Sequence, residues 1–355
     1  MAKRVCCVLL SLLLAGGLVG CAPFSSAPRR SQTYLDVFDT VTEISAYGMS
    51  EAEFAADVQK LHDELVTYHR LYDIYNTYPD MNNLKTVNAA AGGAPIRVDT
   101  RILDLLEYGL NAYDKTDGRV NILFGAVLSM WHDAREHGLA EPETAVLPDE
   151  SALVAAAGHV SPIALQIDRE AGTVCITDPA ARMDVGAIAK GYAAEQIARY
   201  AEQELGWTSA LINVGGNIRA IGGKGGKDSK TPFTVGIQNP DTASAKTYLT
   251  TVNIADMSVV TSGDYQRYYT VNGKNYAHII DPDTLYPAAF VRAVTVVCED
   301  SALADVLSTA LFCLPLEQGK TLLKKTPNAH AVWVLTDGSL QYSDGFGDLM
   351  EGTTE

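Results

Sequence analysis

The chain has 355 residues, 47% of them hydrophobic and 20% charged, with a formal net charge of -16. That length and apolar share allow one large domain or two modest ones around a sizeable core. So large an excess of acid excludes binding to nucleic acid or to an anionic membrane through a basic surface, and a polyphosphate ligand would need some attraction other than net charge.

Residues 1–20 form a separate unit. Lys3 and Arg4 precede an apolar run from Val5 to Leu14, and small residues lead to "LVGC", Leu18 to Cys21. This is the layout of a bacterial signal peptide, too short to span as a stable membrane helix. Its final cysteine resembles the lipobox of bacterial lipoproteins, so Cys21 is the expected lipidation site. An accidental cysteine after an ordinary signal is the other reading. Residues 21–33 are rich in Pro and Ser and read as a flexible tether, with a single folded domain expected over 34–350. Cys6 and Cys7 leave with the signal. Cys175, Cys298 and Cys313 have no CxxC or Cys/His spacing, so they read as small buried residues rather than disulfides or zinc ligands.

Along the folded part, "DVFDTVTEISAYG" alternates as a strand, and Ala52 to Tyr75 has helical spacing. Leu61, Leu65, Tyr68, Tyr72 and Tyr75 share a face of that helix and read as core or interface packing rather than a cofactor stack. "VNAAAGGAPIRVD" predicts a turn and a short strand, Ile102 to Tyr113 an amphipathic helix, and "TDGRVNILFGAVLSMWHDARE" a turn opening an apolar run that ends in Trp131 and His132. A helix before Ala157 and a hairpin over Gln166 to Thr177 follow. "RMDVGAIAKGYAAEQIARYAEQELGW" predicts a helix from about Lys190 to Gly206. "SALINVGG" and "PFTVGIQNP" read as strands. Two alternating runs meet at Asn272-Gly273, a dipeptide suited to a type I′ hairpin turn. A helix over 303–312 and two short strands around Val332 and Leu340 close the chain. Strands and helices do not alternate strictly, so the fold class is α+β with a largely antiparallel mixed sheet and flanking helices.

Three places invite a chemical reading. In "LADVLSTALF", Asp305 and Thr309 are one helical turn apart and present two oxygens on one face, while Leu303, Val306, Leu307 and Ala310 can face the core. That is a partial oxygen site for a hard cation, or else an Asp capping a neighbouring segment. The glycines of "GGNIRAIGGKGG" lack GxGxxG spacing and no helix opens after them, so they argue for close backbone approach rather than a dinucleotide fold. His278 in "YAHIID" is placed on one strand face with Tyr276 and Ile280, as a structural residue or a catalyst.

Read together, "FDTVTEI", "MDVGAIAKGYA", "TSGDYQRYY…YAHIIDPDT" and "LADVLSTALF" resemble the ApbE family of FAD:protein FMN transferases, in order and approximate spacing, over about residues 34 to 345. "TDGRVN…MWHDARE" and "INVGGNIRAIG" fit as well. The resemblance implies a flavin transferase fold with its active site in a cleft between sub-lobes. It implies transfer of the FMN half of FAD to a threonine or serine hydroxyl of a redox protein, such as a membrane electron-transport subunit, with release of AMP. Magnesium (Mg2+) would be held by Asp305, Thr309 and the backbone oxygen of Ala187. Phe38, Arg119, Val120, Asn121, Asp184, Lys190, His278 and Ile279 would contact the flavin nucleotide. His278 and Asp305 would be the catalytic pair, the imidazole moving a proton or positioning the phosphates because it titrates near neutral pH.

Two departures stand out: Asn121 where many relatives carry Asp, and Leu285 where many carry Gly. The expected setting is the outer face of the cell membrane, with the enzyme held by its lipid anchor. An FAD pyrophosphatase and a non-catalytic flavin-binding lipoprotein are the alternatives.

Overall fold

A computed structural model of the chain describes residues 28–226 and 231–350. The expected signal peptide, the Cys21 lipidation site and most of the expected tether lie outside the described residues.

The first strand, β1 (Arg29–Val37), pairs with β2 (Thr40–Tyr47) from Arg29 opposite Tyr47 onward. The stretch 29–33, expected as tether, is therefore strand. Its polar residues hide the fact because an edge strand has a face open to water and needs little apolar content. Helix α1 (Glu51–Tyr72) starts at a capping box in which Ser50 and Glu53 satisfy each other's backbone N–H groups. It ends three residues short of Tyr75. α2 (Leu84–Ala89) occupies "LKTVNA", where a turn was expected, capped by the Asn83 side chain on Thr86 N–H. β3 (Ile96–Arg97), α3 (Thr100–Lys115), α4 (Gly125–Ala140), α5 (Glu150–Ala157) and the hairpin β4 (Leu165–Asp168)–β5 (Thr173–Ile176) complete this half.

The second half holds α6 (Ala189–Gln203), β6 (Ala210–Val214), β7 (Asn217–Ile221), β8 (Phe233–Gln238), β9 (Tyr248–Ile254) and β10 (Ser258–Gly263). After them come β11 (Tyr268–Val271), β12 (Lys274–Ala277), β13 (Val291–Cys298), α7 (Ser301–Phe312), α8 (Leu316–Leu323), β14 (His330–Leu335) and β15 (Leu340–Tyr342). The large sheet has eight strands in the order β1-β2-β6-β7-β10-β13-β14-β15, antiparallel at every pairing. The fold is thus α+β and largely antiparallel, as expected.

Both faces of the sheet's middle are buried, which is why β13 reads "VRAVTVVC" with little polar alternation. Val294 and Val296 face the core beneath α7, whereas Val297 packs with Val259, Phe233 and Val252 under the β8–β9 hairpin. α6 lies beside α7 on the first face, with α1 packed against it. Glu195 ties these elements together: its carboxylate accepts from Arg219 Nε at 3.0 Å, Arg199 Nε at 3.1 Å and the Ser301 backbone N–H at 2.9 Å. A carboxylate only 4% exposed is tolerable because every lone-pair direction that matters is met.

The expected long hairpin divides in two. β10 joins the large sheet, and only β11 and β12 form the ribbon around Asn272 and Gly273, both left-handed with φ of 50° and 77° as a type I′ turn requires. His278 consequently falls one residue past the end of β12, not within a strand. Of the three cysteines, Cys298 and Cys313 are buried and Cys175 is half-buried, so the last differs from expectation. Among the described residues no helix is long and apolar enough to cross a membrane.

Candidate active site

A cavity of about 590 Å³ opens where the first turns of α6, the α7 face, the β6–β7 turn, α4 and the β11–β12 ribbon converge. Of the residues expected at the site, Arg119, Val120, Asn121, Asp184, Ala187, Lys190, His278, Ile279, Asp305 and Thr309 line it. Phe38 does not. It sits at the β1–β2 turn with its N–H bonded to His69 Nδ1 at 3.1 Å and its ring edge-on to that imidazole, while the next three residues, Asp39, Thr40 and Val41, reach the cavity.

Asp305 is 4% exposed, and desolvation pushes its carboxyl above the usual carboxylate range. Lys190, the Gly191 N–H and the Asn217 side chain pull the other way. Its Oδ2 accepts the Gly191 N–H at 2.8 Å, in the first turn of α6, where backbone donors lack helical partners. The two readings of Asp305 are therefore compatible: it caps a neighbouring helix and it also lines the cavity. Thr309, one turn on, is half-buried at the cavity wall, and its hydroxyl has only a long 3.5 Å contact with Ser262 Oγ. Among the described residues no group of three His, Cys, Asp or Glu side chains could hold a metal. One carboxylate, one hydroxyl and the nearby Ala187 backbone instead offer a hard, all-oxygen set, which suits Mg2+ and not zinc.

Asp184 is held by its neighbours. Asn88 clamps the preceding residue, donating Nδ2–H to Met183 O at 2.9 Å and accepting Met183 N–H at 2.7 Å, and Gly186 N–H donates to Asp184 Oδ1 at 2.8 Å. Desolvation raises the Asp184 carboxyl above its ordinary value. Asn121 explains itself: its Nδ2 donates to Val160 O at 2.9 Å while Oδ1 accepts Leu123 N–H at 2.8 Å, a pair of opposite bonds that an ionised Asp could not make. Arg119 is engaged by Asp283 at 2.5 Å and Asp281 at 3.4 Å, so two carboxylates already answer its charge. Leu285, standing where a glycine was expected, has φ of 62°, the left-handed region glycine favours, and its carbonyl accepts Trp131 Nε1–H at 2.8 Å.

The imidazole of His278 lies against Arg267 O at 3.2 Å through Nδ1. A carbonyl only accepts, so that contact assigns the proton to Nδ1 and leaves Nε2 as the ring's acceptor. Desolvation, then the charges of Arg267 and Lys190, push its pKa down to about 3. Both causes favour the neutral ring over the imidazolium.

Several lining residues had no site role in the sequence reading. His132 and Arg135 come from α4, Arg267 from the ribbon's approach, and Tyr75, past the end of α1, stacks on His132 with ring centroids 4.8 Å apart. Tyr75 is therefore neither on the face of α1 nor in the core, because the chain leaves the helix at Asp73, whose carboxylate caps Tyr75 and Asn76 N–H groups. Asn217 also lines the cavity, delivered by a tight turn at Gly215, where a Cβ would meet Thr40 Oγ1 at 2.6 Å. Lys190, Arg135 and Arg267 supply the local cationic field that net charge denied.

Comparison with known proteins identifies the family. A protein from Treponema pallidum (strain Nichols) named FAD:protein FMN transferase is 31% identical over 356 aligned positions, covering 96% of this chain and 92% of its own. One of the same name from Klebsiella pneumoniae (strain 342) is 30% identical, with 77% and 83% covered. The crystal structure of the ApbE protein from Thermotoga maritima superposes with a TM-score of 0.77 at 25% identity, covering 91% of this chain and 99% of that one. The flavin transferase ApbE from Vibrio cholerae shares the fold at a TM-score of 0.74 and 22% identity, with 91% and 99% covered. A family model described as the ApbE family matches residues 38–333, a span that contains every residue named above on the cavity wall, and the chain therefore belongs to the ApbE family.

Proposed function

We propose that this chain is an FAD:protein FMN transferase, which moves the FMN half of FAD onto a threonine or serine hydroxyl of an acceptor redox protein and releases AMP. One observation carries the reading. A single cavity is lined by Asp305, Thr309 and Ala187, whose oxygens would suit a hard cation, and by the cations Lys190, Arg135 and Arg267 and the imidazole of His278. That is the equipment for splitting a pyrophosphate, and its relatives carry that name.

In the reaction the acceptor hydroxyl oxygen attacks the FMN-side phosphorus, a new P–O bond forms, and the bond to the bridging oxygen breaks so that AMP leaves with it. Mg2+ held by Asp305, Thr309 and the Ala187 carbonyl would neutralise charge on the diphosphate. Lys190, Arg135 and Arg267 draw the anion into an acidic protein. Asp184 and its clamped turn shape the nucleotide-facing wall. His278 Nε2 takes the hydroxyl proton. Its low affinity for protons is offset by the substrate, since a diphosphate brings negative charge against the same ring and raises its pKa.

Mass spectrometry of an acceptor domain incubated with FAD and Mg2+ tests the proposal: an FMN increment on threonine or serine supports it. AMP released without that increment would make the enzyme an FAD pyrophosphatase, and no AMP at all would leave only flavin binding. His278→Asn is expected to slow transfer by roughly a hundredfold, the scale of lost general-base help. The same histidine bears on stability. Between about 3 and 6.5 the unfolded chain binds its proton while the folded one does not, so stability falls as pH drops through that window and is unaffected by this group above 6.5. His278→Asn should flatten that slope in acid melts, and an unchanged slope would place the loss elsewhere.

The enzyme is proposed to sit on the outer face of the cell membrane, anchored by lipid at Cys21, on the strength of Lys3, Arg4, the apolar run and "LVGC". Lipid label should partition wild type into membranes and be lost in Cys21→Ala. Equal labelling of both would remove the anchor.

A further inference from the structure

A second cavity, of about 330 Å³, lies across the β11–β12 ribbon from the first. The register pairs Tyr268 with Ala277 and Tyr269 with Tyr276. Alternate residues of a strand face opposite sides, so Tyr269 and Tyr276 turn to the cleft, whereas Tyr268, 39% exposed, shares the other face with Asn275 and Ala277. Tyr276 and Ala277 border both cavities, which are therefore one ribbon apart.

Facing the ribbon, Tyr265, Tyr286, Pro240 and Pro287 complete a groove of rigid rings. The acid in its lining is Asp264, whose Oδ1 is sealed from water without a hydrogen-bond partner. Arg292 stands 3.8 Å away from that carboxylate, too far for a hydrogen bond, and donates Nη2–H to Pro240 O at 3.0 Å.

We infer that this groove seats an extended segment of the acceptor polypeptide beside its target hydroxyl, with tyrosine and proline rings packing its side chains and the partly exposed Asp264 carboxylate accepting one of its backbone N–H groups through Oδ2. The inference rests on the transferase reading. Three observations choose a polypeptide over a second nucleotide. The groove shares a wall with the reaction cleft, as a macromolecular substrate delivering one hydroxyl requires. Its acid is a partly exposed carboxylate, which repels phosphate and suits an N–H donor. Its cations are engaged: Arg292 donates to Pro240 O, and Lys274 stands over the Tyr276 ring at 5.1 Å. Aromatic and proline surfaces are those on which extended peptides dock, giving much contact for little lost side-chain freedom.

The test uses the full chain, FAD, and an acceptor domain that the wild-type enzyme loads with FMN. In Tyr268→Ala and in Asp264→Asn, KM for the acceptor is expected to rise about tenfold, with kcat and the FAD dissociation constant from flavin fluorescence held within about twofold. Tyr268 is surface-exposed, so its truncation leaves the fold intact. An unchanged acceptor KM in both variants overturns the groove, and a parallel loss of FAD affinity overturns it too by assigning the groove to the nucleotide. A wild-type enzyme that loads no acceptor sinks the transferase reading itself, and this inference with it.

Discussion

Asp305→Asn is expected to lower FMN transfer by roughly 10³-fold, because it removes the only carboxylate in the oxygen set proposed to hold Mg2+. The fold should survive, and for a specific reason. Asparagine keeps a side-chain oxygen to accept the Gly191 N–H, the contact that Asp305 Oδ2 makes at 2.8 Å. It also removes a charge that burial disfavours. The carboxyl is raised above its unfolded value by desolvation, so the folded state binds its proton more tightly and ionising it costs stability as pH climbs. At neutral pH without metal, the variant should melt no lower than wild type. Mg2+ should separate them: saturating ion at about 100 times its dissociation constant adds roughly 2.7 kcal/mol to a protein that binds it only when folded. Wild type should gain that stabilisation and the variant should not. Retained transfer, or unfolding of the metal-free variant, would make Asp305 a helix cap and nothing more.

The same residue shows how far sequence reaches. The pair Asp305 and Thr309 was legible because helical periodicity is local: four residues fix the face whatever the rest of the chain does. The Asn272-Gly273 turn was legible for the same reason. What pairs with Asp305 was not, since Gly191 is more than a hundred residues away and no pattern at either end announces the bond. Asn88 is the clearest case of concealment: an asparagine in a small-residue stretch, expected in a turn, closes both backbone groups of Met183 and so fixes the turn that carries Asp184. The cations Arg135 and Arg267 were invisible as site residues because a net charge of -16 says nothing about where the positive groups gather. Arg29 to Thr33 looked like tether for an opposite reason, as edge strands carry polar residues without betraying their pairing. The resemblance to a family named ten residues of the cavity wall, and also Phe38, which does not line it. The β1–β2 turn, with Phe38 and Asp39 both left-handed, turns the phenylalanine towards His69 and the following residues to the cleft.

Gly191→Ala should be the most destructive small substitution near the site, and it tests whether helix packing holds the chemistry in place. A Cβ at residue 191 would stand 2.4 Å from Asp305 Cβ and 2.5 Å from Ser301 O. Neither obstacle is the far end of a flexible side chain: one is fixed to the α7 backbone and the other belongs to it. Alanine is the better helix former by about 1 kcal/mol, but the two helices must part to admit it, and overpacking of this kind costs about 3 kcal/mol. The clash wins. Parting α6 from α7 also stretches the Gly191–Asp305 bond and moves Asp305 and Thr309, which travel with α7, away from Ala187, which sits just before α6. Mg2+ affinity should therefore fall together with stability, although no proposed ligand has been changed. Gly319 in α8 supplies the control. A Cβ there meets nothing nearer than 3.5 Å, so Gly319→Ala should stabilise the protein by about 0.5–1 kcal/mol and leave the Mg2+ response alone. If Gly191→Ala melts at the wild-type temperature with an unaltered Mg2+ titration, the close approach of α6 to α7 is not what positions Asp305. A drop in stability with Mg2+ affinity intact would separate packing from the site and leave the oxygen set held by some other contact.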